Sequence, residues 1–220
     1  KEVTDLHSRI SQGIREAKKN GTQIGLTKGT TLTTKKSLEC ISIINKHSKD
    51  FGGKMIKISL EELLNTPRNL FSGKTIAFIT DTVWGVGVVV DSKVLDGLNK
   101  IYSFKKRDLN KPLAILVSNT EDVFKHIEIT NEHIYDLIKL WPGGITLIFK
   151  KSDDYFDNVT SLNTIGIRMP NSNVALKILN YLGPIAATSI NISGEDSLNC
   201  IEDIENSFKD HIDYLVTDVH

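Results

Sequence analysis

From residue 55 onward the sequence alternates short apolar runs with segments of helical period, and that alternation is the strongest constraint on its fold. Thr75 to Ile79, Val83 to Val90, Leu113 to Val117, Thr146 to Phe149, Gly166 to Arg168 and Ile185 to Thr188 read as strands. Ile58 to Leu64, Val94 to Phe104, Asn131 to Leu140, Val174 to Leu182 and Ile201 to Phe208 read as helices. This order predicts an α/β (α+β) domain, a twisted mixed parallel and antiparallel sheet flanked by helices. No internal repeat, low-complexity tract or long linker interrupts it.

Residues 1–54 have a different character. Leu6, Ile10, Ile14 and Ala17 recur at helical spacing among Arg9, Arg15, Lys18 and Lys19, which predicts a basic amphipathic helix ending at Gly21. A Gly- and Thr-rich stretch follows, and Thr33 or Thr34 is placed to cap a second helix carrying Leu38, Ile41 and Ile44. Residues 1–54 hold 11 Lys/Arg against 5 Asp/Glu, and residues 55–220 hold 16 against 22, so a formal net charge of zero conceals two segments of opposite sign. Met55, directly after Gly52-Gly53-Lys54 where the balance flips, marks the expected boundary between a basic helical extension (1–54) and a separate module (55–220).

A composition of 40% hydrophobic and 25% charged residues excludes disordered and collagenous classes. The longest apolar stretch, near Val86 to Val90, falls far short of the ~18 residues of a spanning helix, so no membrane association is expected. Cys40 and Cys200 form no C-x-x-C pair, which points to a reducing cytoplasm. The start at Lys1 and the end at His220 read as a fragment of a longer reading frame.

Four polar clusters fall at the ends of expected strands, where ligands of α/β folds usually sit. The first, Ile79-Thr-Asp-Thr-Val-Trp-Gly-Val-Gly87, sets two hydroxyls and a carboxylate before glycines that let a ligand or another strand approach the backbone. In the second, Ser103 to Leu113, Lys105 and Arg107 share a side if the segment is extended, with Lys111 nearby, a cation set suited to a polyphosphate or to a solvated loop. The third joins Trp141-Pro142-Gly143 to Thr164-Ile-Gly-Ile-Arg-Met-Pro170. Arg168 faces away from Ile167 and Met169 and pairs with a carboxylate, either the protein's own or a ligand's. The fourth, Pro184 to Gly194, gathers Thr188, Ser189, Asn191 and Ser193 as donors for a phosphate or for a turn. The six histidines, His126, His133 and His211 among them, show no metal spacing, and neither a G-x-x-x-x-G-K-[ST] loop nor a G-x-G-x-x-G fingerprint is present.

In this order and spacing the clusters resemble the YrdC/Sua5 family of L-threonylcarbamoyladenylate synthases. The family's Pro-Thr-Asp-Thr-Val-Tyr-Gly-Leu-Gly is similar to Ile79–Gly87. Its Lys-x-Arg and Lys-Pro-Leu correspond to Lys105, Arg107 and Lys111-Pro112-Leu113. Its Trp-Pro-Gly-Pro-x-Thr corresponds to Trp141–Thr146 with Gly144 for the second Pro, its Arg-x-Pro to Arg168 and Pro170, and its Ser-Ala-Asn-x-Ser-Gly to Ser189–Gly194. The resemblance covers nearly all of residues 55–220 and implies a YrdC/RibB-like fold. It also implies a nucleotidyltransferase that joins L-threonine, bicarbonate and ATP into threonylcarbamoyl-AMP, for N6-threonylcarbamoylation of adenosine 37 in tRNA.

By that resemblance Lys105 and Arg107 are the catalytic cations and hold the phosphates of ATP with Lys111, Ser189 and Asn191. Arg168 takes the threonine carboxylate, with Thr82, Trp84 and Thr188 shaping the amino-acid pocket. Mg2+ is expected to travel mostly with the nucleotide, and tRNA-modification proteins are expected to receive the product. Ile79, Trp84 and Ile190 depart from the pattern, and the Ser-Thr-Val-like strand with which family members continue does not follow before His220. Residues 8–29 resemble the join between the long helix and the DNA-binding part of resolvase-type serine recombinases, without the catalytic serine domain. The competing reading is a module that has lost synthesis and binds RNA, including double-stranded RNA, or DNA through its basic cleft and the basic extension.

Overall fold

The computed structural model describes residues 55–109, 111–129 and 133–219. The two helices expected within residues 1–54, and the recombinase-like stretch, lie outside the described residues.

Among the described residues, strands β1 (Ile56–Ile58), β2 (Ile76–Ile79), β3 (Trp84–Val89), β4 (Ala114–Leu116), β5 (Ile127–Glu128), β6 (Leu147–Lys151), β7 (Thr164–Arg168), β8 (Ile185–Ser189) and β9 (Tyr214–Val216) form one sheet. Its order is β1-β9-β2-β3-β8-β4-β7-β6-β5. The helices are α1 (Leu60–Asn65), α2 (Val94–Lys105), α3 (Glu121–Phe124), α4 (Ile134–Ile138), α5 (Asn173–Leu182) and α6 (Ile201–Phe208). The sheet is mixed, as the alternation predicts: β9 runs parallel to β1 and β2, β4 parallel to β7, and β3, β8 and β4 are successively antiparallel.

Strand alternation divides the core. Trp84, Val86 and Val88 of β3 and Ile165 and Ile167 of β7 share one apolar cluster with Leu98, Ile101 and Phe104 of α2 and Ile204 and Phe208 of α6. Ile76 and Phe78 of β2, Val89 of β3 and Ile185 and Ala187 of β8 join a second cluster with Val174, Ile178 and Leu179 of α5 and Leu63 of α1.

Glycine is obligatory where β3 meets β8. A Cβ at Gly87 would stand 2.4 Å from Ile185 Cγ2 and 2.8 Å from the Ala186 carbonyl oxygen, and the latter cannot move without parting the strands. Gly87→Ala is therefore expected to lower unfolding free energy by about 2 kcal/mol, as overpacked cores do. A urea midpoint equal to that of the parent chain would contradict this.

The start and end of the module are wired differently from the expectation. Residues 56–58 form a strand, and the helix expected from Ile58 begins only at Leu60. Ser59 caps it in a reciprocal box, Glu62 N–H donating to Ser59 Oγ at 3.2 Å and Ser59 N–H to Glu62 Oε2 at 2.7 Å. Tyr214–Val216 is inserted between β1 and β2. Asp213 anchors it, its Oδ2 accepting from the Thr75 N–H (2.9 Å) and hydroxyl (3.0 Å) and from Lys100 Nζ (2.9 Å). The helix expected over 131–140 is described only as the short α4. No helix among the described residues is long and apolar enough to cross a membrane.

Candidate functional site

The hairpin joining β2 to β3 is closed by Thr80. Its N–H donates to the Val83 carbonyl at 3.2 Å, its hydroxyl donates to the same oxygen, and its Oγ1 accepts from the Thr82 and Val83 N–H groups. This turn presents Asp81 and Thr82 to Arg168 at the end of β7. The guanidinium donates from Nη2 to Asp81 Oδ1 at 2.5 Å, from Nη1 to Thr82 Oγ1 at 3.1 Å and from Nε to the Gly143 carbonyl at 3.0 Å. The Trp141-Pro142-Gly143 turn is in turn fixed on β7, because Gly143 N–H donates to the Met169 carbonyl at 2.8 Å. Arg168 thus meets a carboxylate of the protein, one of the two outcomes open in the sequence. Three of its five N–H groups are used, leaving one on each terminal nitrogen.

The second cluster is not extended. Lys105 is the last residue of α2, and Lys106 takes the left-handed conformation (φ 51°) that stops the helix. Lys105 therefore turns inward and is only 2% exposed. Its ammonium donates to the Ser189 carbonyl (2.6 Å), the Asn191 carbonyl (2.8 Å) and Asn191 Oδ1 (2.7 Å), which uses all three of its donors. Asn191 Oδ1 also accepts from Ser189 Oγ at 2.7 Å, and Asn191 Nδ2 donates to the Glu195 carbonyl at 2.7 Å. Burial, helped by the nearby Arg107 charge, pushes the Lys105 pKa down to about 8. Arg107 leaves in the other direction, held from Nε by the Lys111 carbonyl (2.9 Å) and from Nη2 by the Pro112 carbonyl (3.2 Å).

These elements enclose a cleft of about 270 Å3 that runs between Arg168, at the end of β7, and Ser189, at the end of the oppositely directed β8. Arg107, Arg168, Thr188 and Ser189 line it, as do Thr80 and Thr146, and its apolar floor includes Gly85, Ala114 and Ala187. The lining holds two arginines, four hydroxyls and no carboxylate, so it favours an anionic ligand.

Five residues expected at the site are not part of this lining. Lys105 and Asn191 lie behind the lining and build the loop that carries Ser189. Lys111 contributes its carbonyl while its side chain faces solvent. Trp84 points into the core, 2% exposed, because it alternates with Gly85 along β3. Thr82 reaches the site through Arg168. Asp81 as the partner of Arg168, and Thr146 in the lining, become evident only when β7 is brought beside the hairpin. Among the described residues no three His, Cys, Asp or Glu come together in a way that could hold a metal ion.

Residues 68–219 match the Sua5/YciO/YrdC family model, described as telomere recombination. A threonylcarbamoyl-AMP synthase of Bacillus subtilis is 34% identical over 151 residues, 67% of this chain and 43% of that protein. One from Vibrio parahaemolyticus is 28% identical over 159 residues, 70% of this chain and 83% of its own. The structure of Pyrococcus abyssi Sua5 complexed with L-threonine superposes with a TM-score of 0.63 at 29% identity, over 74% of this chain and 49% of the other. The chain thus spans less than half of the Bacillus and Pyrococcus proteins. Escherichia coli YciO, 17% identical with a TM-score of 0.64, shares the fold.

Proposed function

The chain belongs to the Sua5/YciO/YrdC family, and from that premise we propose that it makes threonylcarbamoyl-AMP and pyrophosphate from L-threonine, bicarbonate and ATP. The observation that carries this reading is the cleft itself: two arginines and four hydroxyls around an apolar floor, with no carboxylate to repel a triphosphate or an amino-acid carboxylate. The threonine amine and bicarbonate give a carbamate and water. A carbamate oxygen then attacks the α-phosphorus of ATP, and the bond from that phosphorus to the bridging oxygen breaks as pyrophosphate departs. Such a step needs alignment and charge screening more than covalent help.

In this mechanism Arg168 takes the threonine carboxylate on its two remaining N–H groups. Arg107 and Ser189 meet the phosphates, and Mg2+ arrives as the counterion of ATP. Thr188 and Thr82 border the amino-acid end. Lys105, with all three donors spent, acts through the Ser189–Asn191 loop, which stiffens the phosphate end of the cleft. Delivery of the labile product to tRNA-modifying proteins in the cytoplasm is part of the same proposal.

Pyrophosphate release is expected to require threonine and bicarbonate together, and Arg107→Ala is expected to lower it on the order of 100-fold, the usual loss when an oriented donor to developing charge is removed. Equal release without threonine would overturn the assignment.

A further inference from the structure

The two glycines of β3 that face away from Trp84 and Val86 are not equivalent. At Gly87 a methyl group is excluded by the protein itself, as shown above. At Gly85 it is not: a Cβ there would meet the Thr188 carbonyl oxygen at 3.6 Å, Thr80 Cγ2 at 3.7 Å and the Phe78 carbonyl oxygen at 3.9 Å, all ordinary contacts. Gly85 has no positive φ either, so neither packing nor backbone conformation requires glycine. Glycine inside a strand weakens it, since it offers no side chain to pack and loses more conformational freedom on folding. What distinguishes Gly85 is its place in the cleft floor, beside Ser189 in the β3–β8 register.

A chain of contacts ties the position to the arginine that takes the carboxylate. Thr80, whose methyl would neighbour the added Cβ, lies with its hydroxyl 3.3 Å from that of Thr82, and Thr82 accepts from Arg168 at 3.1 Å. An amino acid held by Arg168 on one side and activated next to Ser189 on the other passes over Gly85.

We propose that Gly85 determines amino-acid specificity: the bare backbone at this position makes the room in which the β-methyl of the substrate lies, so that the cleft takes threonine over serine by a methyl-sized recess in its floor. The proposal rests on the reading of the cleft as an amino-acid site. It predicts that a methyl supplied by the protein replaces the methyl of the substrate.

The test compares the full chain with Gly85→Ala, by thermal unfolding and by pyrophosphate formation with threonine and with serine. Gly85→Ala is expected to unfold within about 2 °C of the parent, since the added Cβ meets only ordinary van der Waals contacts. Its kcat/KM for threonine is expected to fall ~10- to 100-fold, the range for one methyl group in a fitted pocket, while that for serine changes less than about threefold on the same reasoning. Equal losses for both amino acids, or no loss for either, would overturn the proposal while leaving the synthase reading intact. Loss of the fold in Gly85→Ala would also overturn it, by showing that glycine serves the protein. A parent chain with no threonine-dependent turnover would remove the synthase reading and this proposal together.

Discussion

Lys105→Met is expected to reduce threonine-dependent pyrophosphate formation by about 1,000-fold or more, on the scale of removing a whole oriented donor loop, although no atom of Lys105 lines the cleft. The ammonium bonds two main-chain carbonyls and one side-chain oxygen of the segment that follows β8. Met fills similar volume at a position that is 2% exposed, but it takes this donor from the Ser189 and Asn191 carbonyls and leaves Asn191 Oδ1 with the Ser189 hydroxyl alone. Unsatisfied groups cost about 1–3 kcal/mol each before relaxation, so the segment is expected to rearrange, carrying Ser189 away from the cleft. Lys105→Arg discriminates between the roles. A cation that grips phosphate would be partly replaced by Arg, whereas a planar fork does not fit three oxygens gathered around one nitrogen, so no rescue is expected.

The titration of Lys105 adds a signature of sign. Its folded pKa of about 8 lies below the ordinary 10.5, so as pH rises between these values the unfolded chain holds a proton that the folded chain has released. Stability from this group is therefore flat below about 8 and rises above it. Activity moves the opposite way, because the neutral amine has only two N–H donors for three acceptors. Opposed trends in urea midpoint and turnover above this pH, with the rise in midpoint absent from Lys105→Met, are the expected result. Parallel trends would refute the caged role.

Much of the sheet was legible because its strands are apolar on both faces and bounded by turn residues. Ile185 to Ser189 between Pro184 and the Asn191 turn is an instance, and Ile201–Phe208 was recognisable from its helical spacing. β1 and β9 were not legible. The three residues Ile56-Lys57-Ile58 lead directly into helical text, and the apolar Tyr214–Val216 is too short to carry periodicity, so only their mutual pairing and the Asp213–Thr75 bonds define them. At the site, motif order singles out Arg107, Arg168, Thr188 and Ser189, and these four line one cleft. Lys105 and Arg107 share a side only if their segment is extended, and instead Lys105 is the last residue of a helix. A left-handed Lys106, uncommon for a residue other than glycine, ends the helix one residue before Arg107 and separates the two cations. Trp84 shows the complementary effect: the aromatic within a ligand motif belongs to the core, and its small neighbour belongs to the cleft.

Arg168→Gln is expected to lower kcat/KM for threonine by about 1,000-fold, chiefly through KM, because a partly buried, oriented carboxylate partner is lost. The same change should lower unfolding free energy by about 2 kcal/mol, since it strands Asp81, whose side chain is 15% exposed and whose Oδ1 has the guanidinium at 2.5 Å. The pair staples the hairpin that carries Thr80 and Thr82 to the Gly143 turn, so stability and binding fall together in this variant. Asp81→Asn separates them. The amide oxygen can still accept from Nη2, while loss of the negative charge leaves Arg168 more strongly attractive to an incoming carboxylate. Asp81→Asn is expected to change KM for threonine by less than about tenfold, one hydrogen bond's worth. In Arg168→Gln combined with Asp81→Asn, stability should return to within about 1 kcal/mol of the parent, because no uncompensated charge remains, but activity should stay as low as in Arg168→Gln alone. Recovery of threonine turnover in the double variant would mean that Arg168 serves only to neutralise Asp81, and the carboxylate site would then have to be sought at Arg107.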